Sequence, residues 1–197
     1  MIESIGEQGR PRVKRVAVFV CVAAIVILLD QFTKWVAVSF LSDGRTVGVI
    51  EPFLSLRLLY NPGASLGMGS NMTWLIALLA VVACVVLAVL AVMTESMPWT
   101  VALAMAFGGA FGNLFDRFAY ATGFLNGKVI DFIDYGWSVG NVADIALVAA
   151  AVMIAVLIMR ATPFAASISD GEPSAQDDDH DASTTHVPSA PNADGER

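Results

Sequence analysis

From Trp74 to Met93 the chain reads WLIALLAVVACVVLAVLAVM, twenty residues without a charge. As a helix rising about 1.5 Å per residue, such a run crosses a hydrocarbon core of about 30 Å. Three further stretches follow the same pattern. One starts at Val16, passes Leu29 and continues beyond the polar interruption DQFTK to Leu41. Another extends from Pro98 to about Phe118, and the last from about Asn141 to Met159. With 56% hydrophobic and only 15% charged residues, the chain is too apolar for an ordinary soluble domain of its length. The pattern predicts an all-α polytopic membrane protein with four transmembrane helices.

The net charge of −7 says little about partners, because all of it lies beyond Pro163 in a tail rich in Asp, Ser, Ala and Pro. Residues 161–197 are therefore expected to be a disordered acidic tail. Arg10, Arg12, Lys14 and Arg15 sit directly before the first helix and Arg160 closes the fourth, which places both termini in the cytoplasm. Arg45, Arg57 and Lys128 would then lie outside and argue the other way, but none forms so tight a cluster at a helix end. The chain divides into a basic segment (1–15), a four-helix body (16–160) with outward segments at 42–73 and 119–140, and the tail. The link TESMP makes an inner hairpin. A cleavable signal peptide at the start is disfavoured, since Asp30 and Lys34 interrupt the apolar run where it should be most uniform. In the outer segment, TVGVI and FLSLRLLY are β-prone and partly alternating, and NPGASLGMGSN supplies loop residues, so a small extracytoplasmic sheet is expected. There is no internal repeat.

The chemistry available to the body is narrow. Cys21 and Cys84 sit in apolar runs, where a thiol acts as a small hydrophobe, and their spacing suits neither a disulfide nor a metal. His180 and His186 lie in the tail. No metal or cofactor is expected, which leaves carboxylates, lysine, arginine and amides. These gather at the outward helix ends. Asp30, Thr33 and Lys34 share one helical face. Asn113, Asp116 and Arg117 repeat that spacing within GGAFGNLFDR, whose small residues permit close helix approach. Asn141 and Asp144 open the fourth helix, and Asp131 stands on the loop before it.

Each group also has a structural reading. Asp30 and Lys34 serve equally well as an intrahelical ion pair. Asp116 beside Arg117 reads first as local neutralisation that fixes helix packing. Asn141 suits a helix cap, Asp144 gains from the helix dipole, and Asp134 is a solvated loop carboxylate. Asp131 and Asp144 resist such accounts, because neither has a cation adjacent in sequence. Two carboxylates brought together in a low-dielectric site share a proton. The ionised one can deprotonate a water while the protonated one polarises a carbonyl. Spacing alone does not establish that they meet.

The stretches DQFTK (30–34), NPGAS (61–65), GGAFGNLFDR (108–117), VIDF (129–132) and NVAD (141–144), in that order, resemble the lipoprotein signal peptidases (signal peptidase II) of bacteria. The resemblance runs from the first helix to the fourth and leaves out only the N-terminal lead and the tail. It implies four transmembrane helices with a small extracytoplasmic β-cradle, in the bacterial cell membrane. It also implies an intramembrane aspartyl endopeptidase that cuts diacylglyceryl-modified prolipoproteins before the lipidated cysteine, at the outer leaflet. Its partners would be those prolipoproteins, membrane lipid and cyclic peptide inhibitors of the globomycin type, with no nucleic acid. The family's catalytic aspartates correspond to Asp131 and Asp144. Asp30, Lys34, Asn113, Asp116 and Arg117 would support the site, Asn61 and Gly63 would line the substrate path, and Asn141 would orient the aspartates. Two departures stand out: Leu66 takes the place of an expected aromatic, and only twelve residues separate Asp131 from Asp144. A small proton-coupled carrier is the competing reading, since intramembrane acids often mark ion paths. Against it, the acids lie at one face of the membrane and no repeat is present.

Overall fold

The computed structural model describes residues 3–63 and 70–165. Its elements run α1 (Glu3–Leu41), β1 (Val47–Ile50), β2 (Leu54–Asn61), α2 (Thr73–Met93), α3 (Met97–Ala119), β3 (Val129–Asp134), β4 (Val139–Gly140) and α4 (Val142–Met159). The tail from 166 on, with both histidines, and Ala64, Ser65 and Leu66 of the loop motif lie outside the described residues. The helix limits expected from the apolar runs hold within a residue or so, except that α1 continues back through the basic segment. That stretch is rich in Glu, Gln, Arg and Lys, which favour helix without leaving an apolar pattern.

Among the described residues, three helical segments are long and apolar enough to cross a membrane: Pro11–Leu41, Thr73–Met93 and Val142–Met159. The remaining helix, α3, packs against each of the other three, and its polar residues are turned inward: Asp116 and Arg117 are buried. Its small residues set the spacing. A Cβ built on Gly109 would stand 2.6 Å from the Ala143 carbonyl oxygen of α4, and one on Gly112 would stand 2.7 Å from Asp30 Oδ2 of α1. Gly109→Ala should therefore push α3 from α4 and destabilise the fold by about 1–3 kcal/mol, read as a lower thermal midpoint in detergent. An unchanged midpoint would show that α4 yields at no cost.

The four strands form one antiparallel sheet in the order β1-β2-β3-β4. The first two strands lie on the β-prone runs TVGVI and FLSLRLLY, whereas residues 119–140 read from the sequence as a loop. That placement is corrected for Asp131 and Asp134, which belong to β3. Acidic residues lower the strand propensity of VIDFID, yet pairing with β2 (Leu59 opposite Asp131, Tyr60 opposite Ile130) supplies what propensity lacks. Phe132 then packs with Ala37 and Leu41 of α1, and with Leu56, Leu58, Ile133 and Val142 around them, which seats the sheet on one end of the helices. At the opposite end, the chain after α4 is fastened to the α2–α3 link: Glu95 N and Thr94 Oγ1 donate to the Phe164 carbonyl (3.0 and 2.7 Å), and Trp99 Nε1 donates to that of Thr162 (3.1 Å).

Candidate active site

The C-terminal parts of α1 and α3, the start of α4 and strand β3 bring the polar clusters into one layer beneath the sheet. Its base is ionic. Lys34, almost wholly buried, lies 2.7 Å from Asp30 Oδ2 and 2.8 Å from Asp116 Oδ2. Asp30 Oδ1 also accepts from Ala143 N (2.9 Å), which ties α1 to the first turn of α4, while Asp116 Oδ2 accepts from Ile130 N (3.1 Å), which ties α3 to β3. The intrahelical pair expected of Asp30 and Lys34 is present, but the pairing expected between Asp116 and Arg117 is not. Asp116 goes to Lys34 because its side chain faces α1. Arg117 instead donates to the backbone carbonyls of Gly63 (2.6 Å) and Gly127 (3.5 Å) and pins the loop after β2. Thr33 takes no part, as its hydroxyl donates to carbonyls of its own helix.

From this base, Asn113 passes the geometry upward. Its Oδ1 accepts from Lys34 Nζ (3.2 Å) and from Asn141 Nδ2 (3.0 Å), and its Nδ2 donates to Asp144 Oδ1 (2.9 Å). Asn141 has two duties. It caps α4 through a reciprocal box with Asp144: Asp144 N donates to Asn141 Oδ1 (3.0 Å), and Asn141 N donates to Asp144 Oδ2 (3.1 Å). Its side-chain amide also donates to Asp131 Oδ1 at 2.7 Å. Asn61, at the end of β2, donates to Asp131 Oδ2 at 2.8 Å and accepts from Gly63 N at 2.9 Å. Asp131 and Asp144 thus share Asn141 as a bridging residue and are each held at both oxygens by N–H donors. Among the described residues neither forms an ion pair.

Asp131 is 1% exposed, and its carboxyl is raised from 3.8 to about 6. Burial is the main cause and the Asp144 charge adds to it, against the hydrogen bonds from Asn61 and Asn141 and the charge of Lys34. Because the folded state keeps this proton to higher pH than the unfolded chain, the group's contribution to stability is complete below about pH 4. It is lost as pH rises through about 6, a change of about 3 kcal/mol at 1.36 kcal/mol per unit. Thermal midpoints of the wild type should fall relative to those of Asp131→Asn over that interval. Parallel curves would remove Asp131 as the buried acid.

Asp131 and Asp144 open on a groove of about 700 Å³, walled by Ile145 and Val148 of α4 on one side and by Tyr135, Trp137 and Val139 of the β3–β4 hairpin on the other. Two contributors went unrecognised in the sequence. Gln31, within DQFTK, donates to Asp30 Oδ2, Gly112 O and Asp116 Oδ1 (3.1, 3.2 and 3.0 Å), and its presence beside Asp30 in an apolar run was the available signal. Tyr135 lies in the wall of the groove, where burial and then the charges of Asp144 and Asp131 push its phenol up; nothing in its spacing marks it.

The architecture, a helical body with membrane-capable helices under a small sheet, belongs to a class with solved members. A bacterial membrane enzyme determined by the in meso method at 2.3 Å superposes with a TM-score of 0.65 and 25% identity, over 75% of this chain and 90% of that one. Another at 1.9 Å gives a TM-score of 0.64 and 26% identity, over 75% and 96%. The chain belongs to the signal peptidase (SPase) II family, whose model matches residues 22–160. The lipoprotein signal peptidase of Bifidobacterium longum subsp. infantis is 59% identical over 158 residues, 80% of this chain and 86% of that protein. Those of Rhodococcus jostii and Mycobacterium tuberculosis are 40% and 37% identical, covering 74% and 79% of this chain and the same shares of their own. The chain is therefore a protease of a membrane-embedded bacterial family.

Proposed function

We propose that this protein is an aspartyl endopeptidase that removes the signal peptide from diacylglyceryl-modified prolipoproteins, cutting just before the lipidated cysteine. The observation that carries the reading is the Asp131–Asn141–Asp144 linkage at the head of the groove. A water between the two carboxylates loses a proton to the ionised one and attacks the scissile carbonyl carbon, while the protonated one donates to the carbonyl oxygen. Collapse of the resulting tetrahedral diol breaks the C–N bond as the protonated carboxyl gives its proton to the leaving amine. The ionised one takes a proton from a diol hydroxyl, leaving the product carboxylic acid. The pair ends with the single proton it began with, so no further group is needed.

The membrane placement follows the same logic. The polar side chains of α3 are directed into the bundle, so its interior position, rather than an aqueous one, accounts for its lower hydropathy, and we assign it as a fourth span. The basic cluster before α1 and Arg160 then put both termini in the cytoplasm, with the sheet and the aspartates at the outer leaflet. A diacylated cysteine is held in the bilayer by about 0.8 kcal/mol per buried CH₂, which delivers the bond before it to that depth. A globomycin-type cyclic peptide would compete for the groove. The test is cleavage of a diacylglyceryl-modified prolipoprotein by the purified protein, with its unlipidated precursor as control. Absence of cleavage, or equal cleavage of both, would overturn the reading.

A further inference from the structure

A second cleft, of about 340 Å³, lies beside the groove and is lined by Arg57, Leu59, Asn61 and Pro62 of β2 and its exit, and by Gly136 to Val139 of the hairpin. Among the described residues, no helix contributes to it. The groove, by contrast, has α4 as one wall, where Ile145 and Val148 are exposed apolar residues on a membrane-capable helix. The two cavities share Asn61, Trp137, Ser138 and Val139. Asn61 donates to Asp131 Oδ2, so the cleft begins where the dyad ends.

The hairpin between them is held firmly for so small an element. Tyr135 N donates to the Ser138 carbonyl at 2.8 Å, and Gly136, at a φ of 84° that suits only glycine without strain, donates its N–H to Asp134 Oδ1 at 2.8 Å. Arg57 pairs with Asp134 across the strands, and this contact, then the Gly136 N–H, keeps the Asp134 carboxyl below its usual range. The rings of Tyr135 and Trp137 stack with centroids 6.1 Å apart. Yet Trp137 is 76% exposed. A large indole stacked on Tyr135 yet left uncovered, on the rim common to the α4-walled groove and the cleft, gains little for the fold.

We infer that the cleft between β2 and the β3–β4 hairpin is the subsite for the polar chain that follows the lipidated cysteine, with Trp137 as the divider over which the substrate bends at the scissile bond. This rests on the peptidase reading and adds to it. The acyl chains and the signal segment are apolar and stay on the α4 side, whereas the chain beyond the cysteine is bound for water and needs a polar exit starting at the dyad. The cleft is contiguous with Asp131's partner Asn61, lined among the described residues by the sheet and its connections, and bordered by Arg57, so it meets each requirement. Binding there would be felt mainly before the chemical step, as uniform binding that lowers KM.

The experiment compares two diacylglyceryl-modified substrates with the same signal segment, one ending at the cysteine and one continuing for about six polar residues, roughly 20 Å if extended. Each is offered to wild type, Trp137→Ala and Leu59→Trp, the last meant to fill the cleft from β2. Wild type should show a KM about tenfold lower for the longer substrate at similar kcat, and in both variants that ratio should shrink to about twofold or less. Equal KM values in wild type, or a ratio that survives Leu59→Trp, would overturn the assignment. Failure of wild type to cut either substrate would overturn the peptidase reading and this inference with it, a result distinguishable from cleavage without length preference.

Discussion

Asp131→Asn and Asp144→Asn should each lower kcat/KM for a lipidated prolipoprotein by about a thousandfold or more while leaving the fold intact. The size of the effect follows from the chemistry, since an amide can neither take the proton from water nor carry one to the leaving nitrogen, and groups that act as a unit fail together. The double variant should consequently be scarcely worse than either single one. The preserved fold follows from geometry: Asp131 is held by neutral amide donors at 2.8 and 2.7 Å, and an Asn there keeps one acceptor and loses one hydrogen bond, about 1 kcal/mol. Asp144→Asn can still accept the Asn141 N–H that completes the cap. Asp116→Asn is the informative control, because Asp116 binds Lys34 and Ile130 N rather than the groove. It should lose stability and keep measurable turnover. A folded Asp131→Asn protein cutting at the wild-type rate would end the dyad assignment; Asp116→Asn failing completely while fully folded would move the catalytic carboxylate to α3.

How far the sequence discloses this site depends on the range of the interactions involved. Helices α2 and α4 are plain in it because the lipid-facing requirement acts on every residue of a run. The partners of the Asn113–Asp116–Arg117 set are not, because their choice is tertiary. Asp116 has Arg117 beside it in the chain but pairs with Lys34, more than eighty positions away, and Arg117 spends its guanidinium on two backbone carbonyls. Strand β3 was hidden for a related reason. VIDFID carries its acids three positions apart, on opposite faces of a strand and out of the two-residue alternation that marks a half-buried one. Only the presence of β2 as a partner turns a loop-like stretch into a ladder. For the dyad candidates, exclusion only narrowed the chemistry to carboxylates and amides; the lack of a neighbouring cation singled out Asp131 and Asp144, and the family resemblance gave them their role. Their meeting was not, because it depends on Asn141 joining two elements.

Lys34→Met should be the most destabilising single change in the protein. The lysine is the only cation among the described residues within ion-pair distance of Asp30 and Asp116, both fully buried. Removing it leaves two like charges facing each other where water cannot reach them, and breaking a buried pair in this way costs about 3–5 kcal/mol. Asn113 also loses a donor, so the damage should spread to Asn141 and Asp144 and lower turnover in whatever fraction remains folded. The cost arises from the stranded carboxylates rather than from the loss of a strong attraction, and this can be separated experimentally. The triple variant Asp30→Asn, Lys34→Met, Asp116→Asn removes all three charges and should recover most of the lost stability, because replacing a whole buried ionic group is often nearly neutral. Its turnover should stay low, since Asn113 would still lack the donor that fixes its amide. Thermal midpoints in detergent for the two variants settle the matter. If the triple variant is no more stable than Lys34→Met alone, the ionic cluster contributes to stability in its own right and the desolvation account is wrong.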